Sequence, residues 1–338
     1  MAPGATSSID VQPTAPSFAD VLDAAHRIRD QAVVTPLLES PALSAQVGGR
    51  LLVKPEMLQR TGAFKFRGAY NRLSRLDQTA QKRGVVAFSS GNHAQGIAAA
   101  AQILGIPAVI VMPADAPTIK QANTRAYGAE VYLYDRYRED RAALAQQIAD
   151  ERGATLDRSY EDPYIIAGQG TIGLEIADRV TELGLILDTV LVPCGGGGLI
   201  AGCATALAEK TPTTDVYAVE PAGFDDTARS LASGQREHND GETKSICDAL
   251  LVPTPGELAF SINSRLLKGA LVVSDDEVRA AMVAAFHHFK LVVEPGGAVA
   301  LAAALSGKLD CRGKNVVVVC SGGNVDPMLF CDVLRGND

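Results

Sequence analysis

TVLVPCGGGGLIAGCATALAE, residues 189–209, decides the architecture: a β-branched apolar run enters four consecutive glycines, Gly195, Gly196, Gly197 and Gly198, and leaves as an amphipathic helix. Glycine lets the backbone approach an anion closely, and a helix start offers unpaired N–H groups with a favourable dipole. Phosphate is the natural occupant. A merely flexible loop would carry the entropic cost of four glycines without return. Gly196, Gly198 and Ala201 also satisfy the loose G-x-G-x-x-A dinucleotide fingerprint, and Glu220 closes the next strand about twenty residues on, so an NAD reading stays open here. The sequence contains no G-x-x-x-x-G-K-[ST] loop, which sets a P-loop NTPase aside.

On both sides of this unit, short apolar runs alternate with helical patterns: VVAF from Val85, AVIVM from Ala108, EVYLY from Glu130, DVYAVE from Asp215 and NVVVVC from Asn315. Strands separated by helices of 10–15 residues imply βαβ units and a parallel sheet. The Arg83–Tyr160 block forms a nearly complete α/β unit by itself, a small domain inserted in a larger one. Two stretches lack periodicity, 158–173 and 229–267, and read as a domain crossing and a long active-site loop. Order is expected to begin near Ser17, after a Ser/Thr/Pro-rich tail of about 16 residues.

The 338 residues, 47% of them hydrophobic and 21% charged, suit a soluble globular chain with room for two cores. With 31 basic against 39 acidic residues the net charge is −8, and no Lys/Arg block is present, so nucleic acid is not an expected partner. Six scattered cysteines without CxxC spacing argue against a zinc cage or disulfide framework. The absence of a basic-apolar leader and of any span near 20 apolar residues makes the cytoplasm the expected compartment, with no membrane partner. The Ala-rich stretches 96–103 and 298–305 read as buried helices.

Four further segments carry chemistry. In TGAFKFRGAY, Lys65 stands between Phe64 and Phe66, where apolar surroundings lower an amine's pKa and free it for Schiff-base or general-base work; an exposed helix-start lysine is the alternative. AFSSGNHAQG brings Ser89, Ser90, Asn92 and His93 to one helix start, suited to a carboxylate, although capping would explain Ser90 and Asn92, and core packing His93. VCSGGNVD ends a strand at Ser321. EPAGFDD places Glu220 and Asp226 six apart, either a solvated acidic turn or a hard-cation site.

Together, an aromatic-flanked lysine, SSGNH, a tetraglycine and a terminal SGGN resemble the serine/threonine dehydratase and serine racemase family of fold type II pyridoxal-phosphate enzymes. The resemblance runs from about Ser17 to the C-terminus. It implies a tryptophan synthase β-like α/β fold with parallel-rich twisted sheets flanked by helices, residues 17–82 and 161–338 forming a large cofactor domain and 83–160 a small one. It further implies Lys65 as the lysine that bonds pyridoxal 5'-phosphate and removes the α-proton, Phe64 against the cofactor, and Gly195 to Gly198 with Leu199 around its phosphate. Asn92 would meet the ring's 3-hydroxyl oxygen and Ser321 the pyridine nitrogen, while Ser89, Ser90, Asn92 and His93 would hold the substrate carboxylate. A serine does not hold that nitrogen protonated as an aspartate would, which favours fast β-elimination over transamination. Ser90 matches the opposite-face acid/base of the family's racemases. Glu220, the Phe224 carbonyl and Asp226 match its divalent cation site, for Mg²⁺ or alternatively Ca²⁺ or Mn²⁺.

The expected reaction is conversion of L-serine, L-threonine or 3-hydroxyaspartate to a 2-oxo acid and ammonia, by a homodimeric carbon–nitrogen lyase. Racemisation of serine or an aspartate-type amino acid is the alternative, and an NAD-dependent oxidoreductase or a non-catalytic sensor stands further off. Two features bear on the substrate. Ala249 occupies the place of a family glycine in SICDALLVP, next to the site. Arg136, Arg138 and Arg141 in YDRYREDR read first as a solvated helix start; if one reaches the cleft it would hold a second carboxylate bidentately, and Arg141 is similar to an active-site arginine of serine racemases. The chain carries no regulatory module after SGGN, so a catabolic role is expected.

Overall fold

The computed structural model describes residues 14–89, 91–116, 118–240 and 243–336. Its strands are β1 (Leu38–Glu39), β2 (Arg50–Pro55), β3 (Val85–Phe88), β4 (Ala108–Pro113), β5 (Glu130–Tyr134), β6 (Thr155–Leu156), β7 (Thr189–Pro193), β8 (Asp215–Pro221), β9 (Gly269–Val273) and β10 (Asn315–Cys320). The helices are α1 (Phe18–Ile28), α2 (Pro41–Val47), α3 (Lys65–Leu73), α4 (Gln78–Arg83), α5 (Asn92–Leu104), α6 (Thr118–Ala126), α7 (Arg141–Arg152), α8 (Pro163–Glu182), α9 (Gly198–Lys210), α10 (Asp226–Ser233), α11 (Glu257–Leu266), α12 (Asp275–Phe289), α13 (Pro295–Leu305) and α14 (Pro327–Arg335).

Two sheets result, ordered β1-β2-β10-β7-β8-β9 and β5-β4-β3-β6. All pairings are parallel except β1 with β2. Every residue of β4 and β7 is buried, because crossover helices cover both faces of a parallel sheet, and such strands read as unbroken apolar runs. The second sheet is built wholly from residues 85–156.

Helix α1 starts where the sequence places it: the Ser17 Oγ accepts from the Asp20 N–H at 3.3 Å while the Asp20 carboxylate accepts from the Ser17 N–H at 2.8 Å. The Ala-rich α13 is buried on nearly every face. The tail assignment falls mostly on residues 1–13, outside the described residues.

The structure differs from the sequence reading in both aperiodic stretches. Residues 163–182 form the long helix α8, and α10 and α11 interrupt the supposed loop. The first half of α8 escaped notice because residues 165–173 are buried without interruption, leaving no polar face there to set a period. Its glycines permit unusually close packing: a methyl group on Gly173 would stand 2.6 Å from the Cys203 carbonyl oxygen of α9, and one on Gly168 the same distance from the Gly68 Cα of α3.

Among the described residues, no helix is long and apolar enough to cross a membrane, and the six cysteines are unbonded, Cys331 exposed and the others buried. The loops that follow β2, β7, β8 and β10 in one sheet and β3, β5 and β6 in the other leave the carboxyl ends of the strands. In open α/β sheets that end is the ligand crevice.

Candidate active site

Lys65 is the first residue of α3. The chain reaches it through a tight turn, Thr61 and Gly62 both taking left-handed φ of 62° and 71°. The Phe64 N–H donates to the Ser321 carbonyl at 3.1 Å and Ala63 bridges to Gly322, so the lysine turn and the SGGN turn are one unit. Helix α5 presses against the lysine backbone at Gly96, where a methyl group would stand 3.1 Å from the Lys65 carbonyl carbon. The ammonium lies 5.0 Å from the Phe64 ring centroid. Among the described residues it has no ion pair. Burial pushes its pKa down to about 8, opposed by the Asp157 and Glu294 carboxylates.

The glycine loop lies between β7 and α9, and its flanking Cys194 and Leu199 belong to the same buried cluster as Phe64. Gly197 caps α9 with φ 88°, and its carbonyl accepts from the Ala201 N–H at 2.9 Å. The amides of Gly198 and Leu199 precede that first intrahelical bond, and such amides have no partner within the helix. Tyr160 covers the loop: a methyl group on Gly196 would fall 2.6 Å from its ring carbons.

At the end of β3, the Ser89 Oγ accepts from the Gly91 N–H at 3.3 Å. Ser90 lies outside the described residues. The Asn92 side-chain amide donates to Glu294 at 2.5 Å, and its oxygen accepts from Asn324 at 2.7 Å. Glu294 caps α13 and is buried, which raises its pKa to about 7, with the nearby Asp248 charge adding to the effect. His93 is buried, and its Nε2 bonds to the buried Asp157 carboxylate; the His93 Nδ1 and Asp157 Oδ1 have no hydrogen-bond partner in the structure. Asp157 accepts in turn from the Ser159 N–H at 3.1 Å.

The three clustered arginines part company. Arg136 bonds to Asp115 at 2.8 Å and Arg138 lies 3.6 Å from Asp135, largely exposed. Arg141, first in α7, has no carboxylate partner among the described residues; its guanidinium lies 5.7 Å from the Phe88 ring centroid. It lines a cleft of about 390 Å³ with Ser89, Tyr134 and Arg136.

Beyond β8, the Glu220 oxygens accept from the Thr227 and Ala228 N–H groups at 2.9 and 2.8 Å. Asp226 Oδ1 accepts from Asn239 at 2.7 Å, whereas its Oδ2 is buried without a partner. Burial raises the Glu220 pKa to about 8, with the Asp226 charge adding to it, and burial raises that of Asp226 to about 6. Among the described residues no cluster of three His, Cys, Asp or Glu side chains is placed to hold a metal. A cation here would draw on carbonyl oxygens and water as well as on these two carboxylates.

A family profile described as "Pyridoxal-phosphate dependent enzyme" matches residues 28–322. The chain belongs to the pyridoxal-phosphate-dependent enzyme family. It is 41% identical over 323 residues to the L-threo-3-hydroxyaspartate ammonia-lyase of Saccharomyces cerevisiae, covering 96% of this chain and 98% of the relative. A Pseudomonas sp. protein of the same name is 43% identical over 320 residues, covering 95% and 99%. The structure of maize serine racemase superimposes with a TM-score of 0.89 at 36% identity, covering 95% of this chain and 98% of that one.

The residues present fit pyridoxal phosphate. An unpaired lysine with a depressed pKa and a side-chain-free helix start for a phosphate are both present, Phe64 and Leu199 beside them share one buried cluster, and Ser321 joins the lysine turn through its carbonyl. The dinucleotide reading of Glu220 gives way, since both its oxygens are bonded to the start of α10. Sequence reasoning missed Glu294, Asp157 and Tyr160. Glu294 had one faint signal, a carboxylate just before Pro-Gly-Gly at a helix start; Tyr160 sat in a stretch read only as a crossing, and Asp157 directly before it carried no motif.

Proposed function

We propose that this chain is an ammonia-lyase that converts 3-hydroxyaspartate to oxaloacetate and ammonia. The observation that carries the dicarboxylate choice is Arg141, a cation without a carboxylate partner beside Ser89 in the cleft. The hydroxyaspartate-lyase names of the Saccharomyces and Pseudomonas relatives support it.

Bound pyridoxal phosphate supplies an electron sink for the pair left when the α C–H bond breaks. Lys65 takes the α-proton, for which an amine with a pKa near 8 is well matched to neutral pH. The open amides of Gly198 and Leu199 hold the phosphate at the α9 start. The Ser89–His93 segment, at the start of α5, receives the α-carboxylate, and Arg141 the distal one. The Ser321 hydroxyl would face the ring nitrogen and would not bring the charge an aspartate does. Water lost at the β-carbon is regained when the released enamine hydrolyses, so the overall change is loss of ammonia.

The family reading extends to a divalent cation, Mg²⁺ or alternatively Ca²⁺ or Mn²⁺, at Glu220, the Phe224 carbonyl and Asp226, supported by the unpartnered Asp226 Oδ2. It extends also to a homodimer in the cytoplasm, which the exposed Val33, Val34, Leu58 and Val292 support as apolar surface for a second copy.

The deciding experiment records the visible spectrum of the purified protein and assays ammonia and 2-oxo acids with L-serine, L-threonine and each 3-hydroxyaspartate isomer. Much faster turnover of one hydroxyaspartate isomer is expected; faster turnover of serine or threonine would replace the substrate assignment. Serine racemisation is the second reading, favoured by the likeness to maize serine racemase. Recovered serine without the D-isomer would remove it.

A further inference from the structure

Glu294 is a buried carboxylate that its own helix does not use. It is the N-cap residue of α13, yet its side chain makes no capping bond. Burying a carboxylate is costly unless its oxygens are bonded, so an apolar residue would fill this place more cheaply. The carboxylate needs a separate reason. Its backbone is pinned to the SGGN turn, the Glu294 N–H donating to the Gly322 carbonyl at 3.0 Å. A methyl group on Gly322 would overlap the Glu294 Oε1 and stand 3.2 Å from the Asn92 Nδ2. Gly322 also bridges to Ala63, in the turn that delivers Lys65. Carboxylate and amide therefore meet against Gly322, in the space that its missing side chain leaves.

The bonds that run out from this meeting point have one polarity. The Asn324 side-chain NH2 donates at 2.7 Å to the Thr61 carbonyl, which can only accept, and at 2.7 Å to the Asn92 Oδ1. With its oxygen so occupied, Asn92 turns its NH2 to Glu294, whose Oε1 accepts at 2.5 Å. The bond to Asn324 alone would let the Asn92 amide swing about it. The bond to Glu294 fixes the plane. An amide NH2 carries two hydrogens, and among the described residues Glu294 is the one acceptor bonded to that of Asn92. The other hydrogen is free for a ligand.

We propose that Glu294 is a positioning residue: by fixing the plane of the Asn92 amide it aims the second N–H at the cofactor's 3-hydroxyl oxygen. The inference rests on the pyridoxal-phosphate reading, which gives Asn92 that oxygen, and adds what holds the amide there. A donor already held in its bound orientation loses less freedom when the cofactor arrives.

The test compares the wild-type holoenzyme with Glu294→Gln, Glu294→Leu, Asn92→Ala and the double variant Asn92→Ala/Glu294→Leu. Three readouts are taken: the visible band, the pyridoxal phosphate concentration that half-restores it after the cofactor is removed, and Tm. Glu294→Leu is expected to shift the band and to weaken cofactor binding roughly tenfold, as the loss of one well-aimed hydrogen bond predicts. Glu294→Gln keeps an oxygen that accepts from Asn92 and recovers most of that affinity. On the Asn92→Ala background Glu294→Leu adds nothing, because its effect passes through the amide. An unaltered band and affinity in Glu294→Leu, whatever its Tm, overturns the inference. So does an equal further loss on the Asn92→Ala background, and so does a Glu294→Gln as weak as Glu294→Leu, which would assign the effect to charge. Asn92→Ala with band and affinity intact removes Asn92 from the ring oxygen and the inference with it. None of these outcomes touches the hydroxyaspartate assignment, which the substrate comparison decides, whereas a wild-type chain that develops no band overturns both.

Discussion

At Lys65 two effects compete: enclosure by protein disfavours the ammonium, and the Asp157 and Glu294 carboxylates favour it. Enclosure wins, leaving a pKa of about 8, so roughly a tenth of the amine is unprotonated at pH 7. Attachment of pyridoxal phosphate needs that free amine. The rate at which the cofactor-free chain develops its visible band is therefore expected to rise with pH and level off above about 8. Asp157→Asn removes a carboxylate charge that favours the ammonium, so the midpoint moves to lower pH. A midpoint that stays put would detach Asp157 from the lysine. Lys65→Ala is expected to abolish both the band and turnover, and a retained band would take Lys65 out of its assigned role.

Elements hold these residues in place. The buried Arg67 of α3 pairs with Glu56 at 2.7 Å and with Glu175 of α8 at 2.6 Å, and the buried Lys54 of β2 pairs with the same Glu175 at 2.5 Å. This closed set of two cations and two anions fixes the helix that begins at Lys65. Removing one partner leaves uncompensated buried charge, so Arg67→Met is expected to lose about 3–5 kcal/mol in denaturant unfolding. The β8–α10 corner carries the opposite situation, like charges close together. Carboxylates whose folded pKa is raised cost stability as pH climbs through that value, about 6 for Asp226 and about 8 for Glu220. A bound cation relieves that cost. Chelation is thus expected to lower Tm more at about pH 8.5 than at about pH 5.5, and an equal, negligible shift at both would remove the cation. The strand–glycine–helix unit at 189–209 was legible because its signals are local in sequence. Glu294 was not, because its partner Asn92 lies 202 residues away and only the folded sheets bring them together.

For the whole molecule, polar bonds among the described residues join the helices of the smaller sheet to the larger unit, as Asn92 does with Glu294 and Asn324. Another is the pair between Lys120 of α6 and Asp248, 2.6 Å apart. Asp248 and Lys120 both act on the Glu294 carboxylate, and Ala249, next to Asp248, has its Cβ 3.3 Å from where a methyl on Gly296 would lie. The pair therefore joins the two units beside Glu294 and Gly296. Its energy is limited: Asp248 is 57% exposed, and exposed ion pairs contribute about 0–1 kcal/mol, partly screened by salt. Such a bond is too weak to decide folding yet large enough to bias how closed the crevice stands around a substrate. Lys120→Met is accordingly expected to leave Tm within a degree or two while raising the substrate KM by up to about fivefold at low ionic strength. Salt should shrink the difference, with wild type and variant converging near 1 M, where the screening length falls to about 3 Å. A KM difference that persists undiminished in high salt would mean that Lys120 acts by contact or packing, and the ion pair would lose its place as a closure between the two sheets.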